Sequence, residues 1–199
     1  MNLNTAEYEI LNAETDYGDV IERFSKVVVK PVNGGSSLGI SIVDNKQDLA
    51  VEFKKARAFD SEIMAEKFIP GLEFSTGVIG NKVLPTVQLK TTRQFFDYDA
   101  KYTDANTEII CPVNVEPKKL KELEKLALDA YKGLGCKGLA RVDVIQEEEG
   151  DFSLLELNTI PGMTEHSFVP MALKKVGVSF DELLLFILED HLEHMTNET

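Results

Sequence analysis

The chain has 199 residues, an apolar fraction of 43% and a formal charge of -13. The apolar content excludes a disordered polymer, and the acidic balance excludes the basic footprint of a nucleic-acid binder. The longest apolar run, residues 183–188, is far too short to cross a bilayer as a helix.

Cys111 and Cys136 make neither a disulfide framework nor a zinc site, which fits a reducing compartment. The N-terminus lacks the basic and apolar regions of a signal peptide, so the cytoplasm is the expected location. Residues 5–11 suggest a short strand and residues 19–24 a weak helix. Residues 26–31, KVVVKP, read as a buried strand that ends at a proline. The loop NGGSSLG follows at 33–39, and a strand at 40–43 comes next. Its glycines and serines offer N–H and O–H donors to phosphate oxygens, with Lys30 close by. A mobile hairpin loop is the competing reading, and the Walker pattern is absent.

Asp44 or Asn45 can cap a helix running through Phe59, with Leu49, Phe53 and Ala56 on one face. Three strands, 62–69, 72–79 and 83–89, are expected to form an antiparallel meander, broken by Pro70-Gly71 and turned by Gly80-Asn81. Residues 91–114 show no period and carry Phe95, Phe96, Tyr98 and Tyr102. An aromatic loop of that length suggests a lid, or else a surface loop with locally packed rings. Pro117 opens a helix with Leu120, Leu123, Ala127 and Ala130 at helical spacing, ended by Gly133 and Gly135.

The stretch 138–167, GLARVDVIQEEEGDFSLLELNTIPGMTEHS, reads as a hairpin followed by a Gly/Pro loop. Alternation puts Val142, Val144, Leu155 and Leu157 on one face, and Arg141, Asp143, Glu156 and Asn158 on the other. Closing the turn at Glu149-Gly150 pairs Glu148 with Asp151, Asp143 with Glu156 and Arg141 with Asn158. Facing carboxylates repel unless a cation lies between them. Two carboxylates and an amide oxygen are a hard ligand set that suits magnesium. On spacing alone an exposed polar face with a neighbouring arginine is the slightly favoured alternative. Residues 167–175 suggest a short helix. Ser179 and Glu182 form a capping box ahead of a last helix, whose run at 183–188 is expected to be largely buried.

The segments KPVNGGSSLGIS, EKFIPGLEFSTGVIGN, FDYDAKYTD, GCKGLARVDV and LLELNTIPGMTEHSFVP resemble, in this order, the D-alanine–D-alanine ligases of the ATP-grasp superfamily. The resemblance implies an α+β ATP-grasp fold: a central subdomain over 1–70 and a C-terminal subdomain over 71–199, with antiparallel sheets clamping ATP. It implies ATP and D-alanine as substrates, two magnesium ions (manganese as a substitute), an acyl-phosphate intermediate and a role in making the peptidoglycan dipeptide. Lys30, Ser36, Ser37 and the lid residues Lys101 and Tyr102 would serve the phosphates. Glu66, Lys67, Phe68 and Ile69 would border adenine, and Glu73 would hold the ribose. Asp143, Glu156 and Asn158 would bind the metals. Arg141 and the Gly162 backbone would stabilise the oxyanion, and Ser167 would bind the second substrate's carboxylate. The family's N-terminal domain has no counterpart among these segments. The first-substrate site is therefore expected to be incomplete, with that domain or a homodimer partner supplied elsewhere. Another second substrate, or a catalytically silent nucleotide-binding module, is the alternative.

Overall fold

The computed structural model describes residues 3–35, 37–90 and 108–197, with side chains of the last helix as far as 192. The chain divides into two compact units. One comprises Ala6–Ile69. The other takes Pro70–Lys90 and Glu108–Thr199 together with the residues up to Thr5.

The first unit is a four-stranded antiparallel sheet with two helices. Its strands are β1 (Tyr8–Leu11), β2 (Val27–Pro31), β3 (Ser41–Val43) and β4 (Ile63–Lys67), in the order β1-β4-β2-β3. Helix α1 (Tyr17–Phe24) starts at Asp16, whose carboxylate accepts from the N–H groups of Gly18 and Asp19. Helix α2 (Lys46–Ala56) is capped by Asn45, which accepts from the Asp48 N–H. Side-chain caps of this kind satisfy amide groups that the first helical turn leaves without partners. Val27 and Val29 of β2 and Ile63 and Ala65 of β4 pack with Val20, Phe24, Leu49 and Ala56 of the helices. The opposite face of the sheet carries Tyr8, Ile10, Val28, Lys30, Met64 and Glu66 by strand alternation.

The second unit is a six-stranded antiparallel sheet. It contains β5 (Gly71–Ile79), β6 (Lys82–Val83), β7 (Val87–Lys90), β8 (Glu108–Ile110), β9 (Leu139–Glu147) and β10 (Phe152–Asn158). The order is β10-β9-β5-β7-β8, with β6 added beside β5. Helix α3 (Pro117–Gly133) covers one face. Its Leu123, Ala127 and Tyr131 meet Phe74, Val78, Ala140, Val142 and Val144. The Tyr131 hydroxyl donates to the Gly138 carbonyl at 2.6 Å and accepts from the Gly80 N–H at 3.3 Å, pinning the helix to both neighbouring turns. Burial raises the pKa of that hydroxyl. On the other face, helices α4 (Phe168–Lys175) and α5 (Phe180–Asn197) pack Val169, Leu173 and Leu183 on Ile79 and Leu139.

Four expectations need correction. Strand β4 does not join a meander with β5: it pairs with β1 and β2, and β5 pairs with β6, β7 and β9. The span 83–89 is two strands rather than one, because Pro85 lies between β6 and β7 and a proline cannot donate to a ladder. The end of the supposed lid, Glu108–Ile110, is an edge strand on β7, too short to show alternation in the sequence; residues 91–107 lie outside the described residues. Finally, the apolar run of α5 is not largely buried. Leu183 is wholly buried and Ile187 packs beside it, but Leu185 is 55% and Leu188 58% exposed. A helix advances 100° per residue, so six consecutive apolar residues cannot all face one core.

Candidate functional site

The β9–β10 hairpin carries the densest set of ionisable groups on one sheet face. Its register places Asp143 directly opposite Glu156 and Arg141 opposite Asn158. The route to that register differs from simple alternation. The Glu147 N–H donates to the Asp151 carbonyl, and the Gly150 N–H returns to the Glu147 carbonyl, both at 2.8 Å. The turn therefore closes one position earlier than Glu148-Asp151. Gly150 supplies the positive φ, +91°, that this turn requires. A bulge between Leu154 and Glu156 then restores the register. The bulge also changes which leucine enters the core: Leu154 and Leu157 pack with Val142 and Val144, and Leu155 is the extra residue.

The cation that separates the two carboxylates is Arg141. Its Nε donates to both Asp143 oxygens, at 2.9 and 3.1 Å, and Nη2 donates to Asp143 Oδ2 at 2.7 Å. The same Nη2 reaches Glu156 Oε1 at 3.1 Å. The Arg141 and Asp143 side chains are 13% and 14% exposed, and that of Glu156 is 50% exposed. The triad thus has a protected base and an open rim. The guanidinium also lies 5.6 Å from the centroid of the Phe168 ring, within cation–π range.

The neighbouring residues extend this face. The Asn158 Oδ1 accepts from the Ile160 N–H at 2.9 Å, which fixes the amide at the start of the Gly/Pro loop. A Cβ on Gly162 would lie 2.8 Å from Ser167 Oγ, so these two positions are brought together. Ser167 Oγ accepts from the Thr164 N–H at 3.1 Å. Glu73 stands on β5, two residues before Ser75, on the face that bears Asp143. The donor set of Asp143, Glu156 and Asn158 is all oxygen and opens to solvent at Glu156, which fits a hard divalent cation that keeps some of its waters. Among the described residues no three His, Cys, Asp or Glu side chains gather for a metal; the Asn158 amide is the further oxygen beside the Asp143–Glu156 pair.

In the first unit, Lys30 Nζ and Glu66 Oε2 pair at 2.7 Å on the open face of the sheet. Apolar Tyr8 and Ile10 flank them, more than a third exposed. Apolar surface beside an ion pair offers both ring contact and polar-edge contact to a ligand. The Lys67 N–H donates to the Glu7 carbonyl at 2.8 Å and the Phe68 N–H to the Lys26 carbonyl at 2.8 Å. Those two amides already hold the sheet together, so the Lys67 backbone can serve a ligand only through its carbonyl. Ile69 follows directly as the last residue of this unit. At the Gly/Ser loop, Asp60 accepts from the Asn33 N–H at 2.6 Å and the Glu62 N–H at 3.2 Å. The bond from Asn33 first, and those from neighbouring backbone amides next, hold the Asp60 carboxyl below its usual range. Ser37 adopts a positive φ of 57°. Ser36, Lys101 and Tyr102 lie outside the described residues.

The sequence reading missed Ser75, a residue 68 positions from its partner Asp143. No periodicity in a single chain links such positions; only the β5–β9 register does.

Comparisons with known proteins identify the family. A family model described as "D-ala D-ala ligase C-terminus" matches residues 2–189. A D-alanine–D-alanine ligase from Saccharophagus degradans is 42% identical over 193 residues, spanning 96% of this chain and 62% of its own length. One from Acinetobacter baumannii is 43% identical over 195 residues, covering 96% of this chain and 63% of its own length. The chain therefore spans less than two thirds of these relatives. Among solved structures, a D-alanine–D-alanine ligase from Bacillus anthracis superposes with a TM-score of 0.86 at 32% identity, covering 99% of this chain and 65% of that one. A D-Ala:D-Ser ligase from Enterococcus faecalis gives a TM-score of 0.81 at 31% identity, covering 94% of this chain and 57% of that one.

Proposed function

Because the chain belongs to the family of D-alanine–D-alanine ligase C-terminal regions and has their ATP-grasp fold, we propose that it is the nucleotide- and metal-handling part of an ATP-dependent carboxylate–amine ligase that joins two D-alanines. The observation that carries this reading is the oxygen set of Asp143, Glu156 and Asn158 held around Arg141 on one sheet face.

ATP is the phosphoryl donor in this reading. A substrate carboxylate oxygen attacks the γ-phosphorus, the bond to ADP breaks, and an acyl phosphate forms. The amine of the second substrate then attacks the acyl carbon. The C–N bond forms, the C–O bond to phosphate breaks, and the ammonium proton leaves to solvent. Asp143, Glu156 and Asn158 would hold magnesium, which would supply charge neutralisation for the phosphate oxygens. Lys30 adds a fixed positive charge, with Ser36, Ser37 and Lys101 as further phosphate donors and Tyr102 beside them. Glu66, the Lys67 carbonyl, Phe68 and Ile69 border the adenine, and Glu73 takes the ribose hydroxyls. Arg141 and the Gly162 N–H face the oxyanion formed as the amine attacks, and Ser167 binds the carboxylate of that amine. Two positions two residues apart on one strand face, Arg141 and Asp143, would then handle both the anionic carbon centre and the metal.

The likeness to a D-Ala:D-Ser ligase supports a second reading, in which the same machinery takes a different second amino acid. Calorimetry with a non-hydrolysable ATP analogue and magnesium, followed by D-alanine, tests the main reading. Binding of the nucleotide that needs magnesium and is lost in Asp143→Ala supports it. Nucleotide binding that is indifferent to both magnesium and Asp143 overturns it in favour of a silent module. The cytoplasm, where ATP is available, is the compartment this function requires.

A further inference from the structure

Four polar side chains among the described residues are buried: Ser75, Thr76, Thr86 and Ser153. Thr76 donates to the Leu84 carbonyl at 2.9 Å, and Ser153 donates to the Glu147 carboxylate at 2.6 Å. Both bonds tie strands or turns together away from the candidate ligands. Ser75 differs. It is 2% exposed, stands directly across from Asp143 in the β5–β9 ladder, and donates from Oγ to Asp143 Oδ1 at 2.6 Å.

We infer that Ser75 is a positioning residue for Asp143, fixing the plane of the carboxylate so that it presents a metal-binding lone pair toward the Glu156 side of the hairpin. The inference rests on the proposed role of Asp143 as a metal ligand. Two groups grip this carboxylate, and they pull differently. Arg141 is charged and engages both oxygens along one edge. That engagement, Nε to Oδ1 at 2.9 Å and Nη2 to Oδ2 at 2.7 Å, is already the two-pronged ion pair that a guanidinium prefers, and a metal has to displace it. Ser75 is neutral, holds only Oδ1, and approaches from the neighbouring strand. It can therefore keep its hold on Oδ1 when a cation displaces the guanidinium, without adding a charge that the cation must overcome. Its burial matters as well. Ser75 is 2% exposed, so bulk water has little access to replace the hydroxyl once it is removed.

Removing a group that orients a metal ligand typically weakens metal binding by about 10- to 100-fold. The test is manganese binding by the full chain with a non-hydrolysable ATP analogue, read from the loss of the free-ion signal in electron paramagnetic resonance. Two shape-matched pairs isolate the hydroxyl: wild type against Ser75→Ala, and Ser75→Thr against Ser75→Val. The expected result is binding about 10- to 100-fold weaker in the alanine and valine variants, and within about threefold of wild type in the threonine variant. Thermal melts check that each variant is folded. If the alanine variant does not fold, the threonine–valine comparison decides. Equal manganese affinity within both pairs, with binding lost in Asp143→Ala, overturns the role of Ser75 and leaves the proposed function standing. Binding that is absent in wild type, or unchanged in Asp143→Ala, overturns the metal-ligand reading itself and the role of Ser75 with it.

Discussion

Replacing Arg141 by methionine tests whether the arginine is the counter-ion that makes the hairpin tenable. The guanidinium makes three contacts of 2.7 to 3.1 Å with Asp143, and a fourth, at 3.1 Å, with Glu156. Asp143 is 14% exposed, so most of its lost partners cannot be replaced by water. Breaking a buried pair by removing one member costs about 3–5 kcal/mol, whereas the half-exposed Glu156 contact contributes at most about 1 kcal/mol. Ser75 remains on Asp143 after the substitution, and Asp143 is not wholly buried. The net expectation is therefore a loss of about 2–4 kcal/mol from the second unit. The assay is urea unfolding without divalent ions, with hydrogen exchange at the β9 amides to confine the reading to this unit. Adding Asp143→Asn to the methionine variant should recover at least half of the loss, because it removes the stranded charge. Millimolar magnesium should also restore part of it in the single variant, since the carboxylates are then open to a substitute cation. A single-variant loss below about 0.5 kcal/mol, the range of an ordinary surface substitution, would refute the reasoning and assign the pair to solvated surface chemistry.

Further outcomes follow from the same structure. Leu183→Ala should cost about 2–5 kcal/mol, and Leu188→Ala less than about 0.5 kcal/mol, in matched urea melts; equal losses would mean that the whole apolar run is covered. Gly71→Ala would place a Cβ 2.1 Å from the Gln146 carbonyl oxygen, so β5 or β9 has to shift; a loss of about 1–3 kcal/mol is expected from thermal melts, and a neutral result would mean that this strand end yields freely. The folded pKa of Asp60 lies below its unfolded value of about 3.9, so its tether on Asn33 is fully present above that pH and is lost as pH falls through the lower folded value. The Asn33 amide resonance should titrate below about pH 3.9 and stop doing so in Asp60→Asn. Ser179→Ala should cost about 0.5–2 kcal/mol, because Ser179 Oγ accepts from the Glu182 N–H at 3.2 Å while the Glu182 carboxylate accepts from the Ser179 N–H at 2.7 Å.

Local rules in the sequence were enough for most elements and for the family. Caps at Asn45 and Ser179, the proline opening α3 and the alternation in β9 act over a few residues, so they can be read without the fold. The motif-bearing segments likewise carry the resemblance to the ligases in the sequence itself. The facing of Asp143 and Glu156 was also legible, but by cancelling errors: the turn closes one residue early and the Leu155 bulge adds one back. A period of two cannot reveal either deviation, since each becomes visible only when the partner strand is in place. Only the tertiary structure decided that β4 leaves β5 for another sheet, that α5 buries Leu183 while exposing Leu185, and that Arg141 fills the space between the carboxylates. It alone brought Ser75 to Asp143. These features depend on pairings across dozens of residues, which hydrogen bonding and core packing select globally and no local pattern encodes.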